Sequence, residues 1–264
     1  MRRGILAAAT LPAFSLALVL MTAPFSVQAQ EVPLPHLIQT VTERDIYEGM
    51  LELGLLETPV LEAEDCEEAY ENVKDCVVRL NMGNAYGSGV VWKMTTEQIV
   101  IVTNKHVLEY WDEQLSYVFF PQGYFVEADI LGVSEEYDVG FIVVDNRELG
   151  YEELEQIQYV HWDMAAYQKL QAGADIFCAG AEGITPEEEI EAFYQGRVGD
   201  MWQYIDEFEE YMIYAYGHAR PGMSGGGTFD ARGNFIGMIS GGTKEDETAS
   251  VPLPVILEAY EDIG

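Results

Sequence analysis

The chain has 264 residues, of which 46 are Asp or Glu and only 13 are Lys or Arg, a formal net charge of -33. Such a surface repels polyanions, which excludes nucleic-acid binding through phosphate neutralisation and disfavours adsorption to anionic membranes. Hydrophobic residues at 48% and aromatics at 12% exclude a solvated acidic tail, and the length allows one large or two small domains with a sizeable core.

The segment from Met1 to Ala29 reads as an address. Met1-Arg2-Arg3 supplies a positive start, Leu11 to Met21 an apolar run, and Val27-Gln28-Ala29 the small residues that a signal peptidase reads. Pro12 and Pro24 interrupt a stretch that would need roughly 20 apolar residues to span a bilayer. Cleavage after Ala29 and a secreted or periplasmic location are therefore expected, with an uncleaved N-terminal anchor as the alternative. Export permits disulfides, yet there are only three cysteines. One continuous helix from Cys66 to Cys76 would part their thiols by about 15 Å, so a bridge requires the helix to end first. The spacing leaves both outcomes open. Cys178 reads as a buried strand thiol.

From Gln30 to Cys76 the chain is acidic and helix-leaning, with helices expected at Leu51–Leu56 and Glu62–Lys74. After Cys76 the texture changes to β-branched runs between turn residues. Strands are expected at Val77–Met82, Gly87–Met94, Gln98–Thr103, Leu115–Phe120, Tyr124–Val133 and Val139–Val144, the spacing of an antiparallel barrel or sandwich. A break follows near Asn146 to Tyr151. Residues 146–212 mix acidic helical patches (Tyr151–Gln156, Pro186–Phe193, Asp206–Tyr211) with a strand at Asp175–Ala179. Further strands are expected at Met212–Tyr216, Thr228–Phe229, Phe235–Ser240 and Ala249–Leu253, before a closing helix at Pro254–Tyr260. The organisation is thus a signal segment (1–29), an acidic extension (30–76) and two β-rich units (77–150 and 151–264). The acidic runs Glu187-Glu188-Glu189 and Glu207–Glu210 lack the alternation and glycine of a calcium loop and read as solvated helix faces.

Three short motifs carry chemistry. Pro221-Gly222-Met223-Ser224-Gly225-Gly226-Gly227 fits a serine nucleophile with nearly side-chain-free neighbours, because an oxyanion hole needs two backbone N–H groups converging on one oxygen. A phosphate loop would need a following Lys, which is absent. A serine hydroxyl also needs a positioned base. Of the four histidines, His36 lies in a Pro-rich start, His161 in an acidic segment and His218 close before Ser224. His106 ends the strand-like run Ile99–Thr103. A third group must hold the imidazole. Asp138 opens the apolar run Val139–Val144, where an acid is costly to bury without a partner; Asp145 at the other end is the rival.

In the order His106, Asp138, Ser224, these motifs resemble the trypsin-like serine proteases of chymotrypsin fold, and more narrowly the HtrA/DegP-like bacterial branch. The match lies in Thr103-Asn104-Lys105-His106-Val107, Asp138-Val139-Gly140-Phe141-Ile142 and Gly222-Met223-Ser224-Gly225-Gly226. Gly87-Ser88-Gly89-Val90-Val91 and Gly233–Ser240 support it. The resemblance covers roughly Val77 to Leu257. It implies an all-β fold with peripheral helices, two six-stranded antiparallel barrels, and a site in the cleft between them. It makes Ser224 the nucleophile, His106 the general base and then acid, and Asp138 the orienting carboxylate. The N–H groups of Gly222 and Ser224 would form the oxyanion hole. Ser240, Gly241 and Gly242 would align a substrate strand, with His218 near the base of the primary pocket and Ile239 and Gly242 on its walls. No acid occupies Gly217 to Pro221, so basic side chains are not expected to be preferred there. Protein or peptide substrates are implied, and the chemistry requires no metal or organic cofactor.

Two departures bear on this expectation. Met223 stands where digestive trypsins carry an activating Asp, and the stretch from Gly225 to Gly264 is too short for the PDZ domain usual in HtrA proteins. A catalytically silent member of the fold, acting as an extracellular binding or surface protein, is the competing reading. It is disfavoured by the presence of His106, Asp138, Ser224 and Gly222 together.

Overall fold

The computed structural model describes residues 41–83, 85–183 and 190–263. The signal segment and His36 lie outside the described residues. Helix α1 (Glu43–Glu52) opens with a reciprocal cap: Thr42 Oγ1 accepts the Asp45 N–H, and the Asp45 carboxylate accepts the Thr42 N–H at 2.7 Å. Helix α2 (Cys66–Val73) is capped by Asp65, whose carboxylate accepts the N–H groups of Glu67 and Glu68. It ends before Cys76 and passes into a 3₁₀ turn, as a bridge would require. Cys66, Cys76 and Cys178 are nevertheless all free and buried. Burial pushes the Cys66 and Cys178 thiols up to about 11, and the Cys76 thiol higher still. The helix expected at Leu51–Leu56 fails beyond Glu52: α1 lies mostly N-terminal to it, and residues 53–56 form a turn around Gly54 (φ 66).

Strands β1 (Val77–Met82), β2 (Tyr86–Met94) and β3 (Gln98–Thr103) form an antiparallel meander that leads into the short helix α3 (Lys105–Leu108). β4 (Ser116–Phe119), β5 (Phe125–Val126), β6 (Asp129–Val133) and β7 (Gly140–Asp145) complete a seven-stranded sheet in the order β5-β4-β1-β2-β3-β7-β6. Six strands were expected. The seventh arises because Tyr124–Val133 divides at Glu127-Ala128, sending β5 and β6 to opposite edges of the sheet.

After helices α4 (Tyr151–Leu154) and α5 (Met164–Tyr167), strands β8 (Asp175–Glu182), β9 (Ile190–Ile205), β10 (Glu210–Tyr216), β11 (Gly227–Asp230), β12 (Phe235–Gly242) and β13 (Glu247–Pro252) close a six-stranded barrel. Two helical expectations fail here. From Ile190 onward the patch at Pro186–Phe193 belongs to β9, its earlier residues lying outside the described ones, and Asp206–Tyr211 is a hairpin turn running into β10. The helix preference of Glu yields to cross-strand pairing: β9 is bonded to β8 along one edge and to β10 along the other. Glu207–Glu210 accordingly lie at a hairpin rather than on a helix face.

The core is aromatic where the sheets meet. Phe177 and Phe229 stack at 5.2 Å in the barrel, and Trp92 from β2 meets Phe141, Phe235 and Tyr260. Helix α6 (Leu253–Ile263) buries Leu253, Val255, Ile256 and Ala259. The extension is also docked: Leu61 and Asp65 donate their N–H groups to Arg232 and Ala231 in the β11–β12 turn. Two curled β-sheets with peripheral helices are the chymotrypsin-like double-barrel architecture, its first sheet seven-stranded.

Candidate active site

Register brings His106 and Asp138 together. β3 and β7 pair without a slip from Gln98↔Asp145 to Thr103↔Gly140. Just beyond Thr103 and just before Gly140, His106 and Asp138 emerge at the same end of the sheet. Asp138 Oδ2 lies 2.8 Å from His106 Nδ1, while Oδ1 accepts the His106 backbone N–H at 3.0 Å. The carboxylate therefore holds the imidazole and the backbone that carries it. The rival Asp145 caps a turn at the far end of β7 and pairs with Arg147, which holds its carboxyl down at about 2.

Ser224 sits between two consecutive turns. Met223 N–H donates to Arg220 O at 3.0 Å and Gly226 N–H to Met223 O at 2.8 Å. Gly222 (φ 97) and Gly225 (φ 88) hold the left-handed third positions that such type II turns demand. Neither glycine is replaceable on steric grounds. A Cβ on Gly222 would lie 2.7 Å from Ala181 O, and one on Gly225 would lie 2.0 Å from Ser88 O. Among the described residues, the N–H groups of Gly222 and Ser224 have no acceptor. Met223 points inward, fully buried with Cys178, Ala192 and Ile239, so apolar packing anchors the loop.

The two halves converge on Ser240. The Ser224 hydroxyl donates to Ser240 O at 3.3 Å, and Asn104 Nδ2 donates to Ser240 Oγ at 2.9 Å and to Asp138 O at 3.2 Å. Ser224 Oγ thus rests on a β12 carbonyl rather than on the imidazole. Gly241 and Gly242 continue β12; a side chain at Gly241 would meet Phe208, and one at Gly242 would meet Ala219. A recess of about 480 Å³ lined by Phe208, Tyr214, Gly242 and Thr243 borders this strand. Ile239 is fully buried, so its side chain faces the core. His218 lies against Tyr194, with its Nδ1 2.5 Å from Asp246 Oδ1 and 3.2 Å from Arg220 Nη2. His161 pairs with Glu57 and braces the extension.

Three further residues also enter the site. Asp246 (φ 62), from the β12–β13 turn, pairs with His218 and adds beside it an acid that the run Gly217–Pro221 does not contain. It is remote from His218 along the chain, and no local pattern points to it. Glu210, at the start of β10, accepts the Asp138 N–H at 3.0 Å. Burial holds its carboxyl above the usual range, and the nearby Asp138 charge pushes the same way. Ser88, fully buried, donates its N–H to Ser224 O at 2.8 Å. For Ser88 a signal existed: glycine on both sides within a strand marks close backbone approach.

The sequence pattern of the trypsin-like peptidase domain matches residues 87–238, more than half of the chain. Among solved structures, the chain resembles the HtrA-type protease AlgW with a tripeptide, at TM-score 0.62 and 20% identity, covering 75% of this chain and 63% of that one. It also resembles AlgW with a decapeptide, at TM-score 0.62 and 16% identity, covering 75% and 67%. At such identities the likeness establishes the fold. No curated protein matches this chain.

Proposed function

This chain belongs to the trypsin-like peptidase family, and we propose that it is an exported serine endopeptidase hydrolysing peptide bonds through an acyl-enzyme. The observation that carries the proposal is Asp138, whose two carboxylate oxygens engage both Nδ1 and the backbone N–H of His106. With Nδ1 committed as a donor, Nε2 is left to accept a proton. In the proposed reaction the Ser224 hydroxyl leaves Ser240 O, gives its proton to His106 Nε2, and its oxygen attacks the scissile carbonyl. The developing oxyanion takes the N–H groups of Gly222 and Ser224, which have no other acceptor among the described residues. His106 then protonates the leaving amine, and water repeats the sequence to release the acid. A peptide would lie antiparallel along Ser240–Gly242, where two glycines leave the strand edge open. Export rests on the segment from Met1 to Ala29 alone.

The silent, binding-protein reading draws on one observation, the Ser224 hydroxyl resting on Ser240 rather than His106. Apo triads are commonly loose and tighten around substrate, so we favour the enzyme. Incubation with an unfolded protein substrate separates the two. The account predicts cleavage by the wild type, and a fall of about 10⁴-fold in kcat for Asp138→Asn, through the wrong imidazole tautomer. A folded wild type that leaves the substrate intact contradicts it.

A further inference from the structure

Ser88 belongs to the first sheet, yet its side chain is spent on the second barrel. It is fully buried on β2, and all its polar atoms are used. Its N–H donates to Ser224 O at 2.8 Å, and its carbonyl accepts the Thr103 hydroxyl at 2.7 Å. Its hydroxyl accepts the Ala181 N–H at 2.8 Å and donates to Gly222 O at 2.8 Å. A serine hydroxyl has one proton to give, and here it goes to the peptide that follows Gly222.

That peptide meets, at the Gly222 Cα, the Pro221–Gly222 peptide that carries the Gly222 N–H and whose carbonyl accepts the Gly183 N–H at 3.2 Å, so Ser88 and Gly183 fix the planes on either side of Gly222. Gly222 holds φ 97, which a glycine leaves at little cost. No Cβ opposes a flip, so the conformation depends on the partners of its carbonyl and its neighbours. Ser88 grips the loop at the carbonyls of Gly222 and Ser224, the two residues whose N–H groups remain without acceptors among the described residues. Through Ala181 it also fixes the β8 end whose carbonyl would lie 2.7 Å from a Gly222 Cβ. Gly87 and Gly89 admit this approach: a Cβ on Gly87 would collide with Val107, and one on Gly89 with Ile101.

We propose that Ser88 is a positioning residue that locks the Gly222–Ser224 loop with its N–H groups converging, so that the first sheet sets the oxyanion hole of the second barrel. The inference rests on the serine-peptidase reading. In that reading the hole acts only when charge develops on the substrate oxygen, so loss of Ser88 lowers kcat and leaves KM nearly unchanged.

The test compares Ser88→Ala and Ser88→Cys with the wild type, using a peptide substrate and a peptide aldehyde inhibitor, with rates expressed per titrated active site. Removing an oxyanion donor outright costs about 10²–10³-fold in kcat; misorienting one is expected to cost ten- to a hundredfold in Ser88→Ala. Aldehyde affinity should fall by the same factor as kcat/KM, since the hemiacetal carries the oxyanion. Cysteine keeps the size and a weak donor, so it should fall between, and it carries the test if the alanine variant does not fold. Thr228→Val, which breaks the buried Thr228–Ser250 hydroxyl pair in the barrel wall, is the control: a lower Tm with unchanged kcat. Ser88 variants that lose Tm but keep wild-type kcat and aldehyde affinity per active site overturn the inference. A folded wild type without activity would instead overturn the reading beneath it.

Discussion

Glu210 places a second carboxyl beside Asp138, half-buried at the seam between the sheet and the barrel. Its titration has a sign that can be worked out. Its pKa in the folded chain stands above the ordinary value of 4.5, chiefly through burial. Protonated Glu210 therefore favours the fold below that ordinary value, and the benefit is lost as pH rises through the raised one. Gln cannot ionise and still offers Oε1 to the Asp138 N–H. Glu210→Gln should melt above the wild type at neutral pH, with the gap closing on acidification to about pH 4. A gap that is constant from pH 7 to pH 4 would contradict this assignment. At this scale the legible residues were those whose chemistry is local. His106, Asp138 and Ser224 each stand in a short run with a strand or glycine signature. Glu210 and Asp246 act from distant turns, so their roles appear only when the chain is folded; the glycines flanking Ser88 signal a close approach, but its partners Gly222, Ser224 and Ala181 appear only in the fold.

Elements were legible where periodicity and apolar content agreed. β3 and β7 read directly from Gln98–Thr103 and Val139–Val144, and their unbroken pairing delivers the His106–Asp138 contact. The hairpin of β9 and β10 did not read. Its acids favour a helix locally, while the edges of β8 and β13 supply the hydrogen bonds that decide the matter. Helix α2 offers a test at this scale, because it covers β8: Tyr70 stacks on Phe193 at 4.7 Å and meets Phe177 edge-on. Asp65 caps the helix through two N–H groups. Asp65→Ala should cost about 1 kcal/mol in chemical denaturation with kcat per active site unchanged. Loss of activity in the folded variant would mean that α2 does more than brace the barrel.

Across the whole molecule the acidity is uneven. Residues 30–76 carry 13 acids against 2 bases, and residues 146–212 carry 16 against 3. The motif-bearing stretches 77–145 and 213–264 carry 10 against 3 and 7 against 3. The charge argues for solubility and against polyanionic partners, while the proposed reaction rests on three short motifs. The acidic extension is part of the folded body from Val41 onward, since its backbone bonds to the β11–β12 turn and Tyr47 is buried with its hydroxyl on Thr95 O. The first sheet holds His106 and Asp138, the closed barrel Ser224 and the Gly222–Ser224 loop. Asn104 and Ser88 reach from the one to the other. We propose that this assembly activates Ser224. The direct measurement is labelling with a fluorophosphonate, the modified residue being identified by mass spectrometry. The account predicts a single adduct on Ser224, absent from folded Ser224→Ala. An unlabelled, folded wild type, or equal labelling of the Ser224→Ala variant, would contradict it.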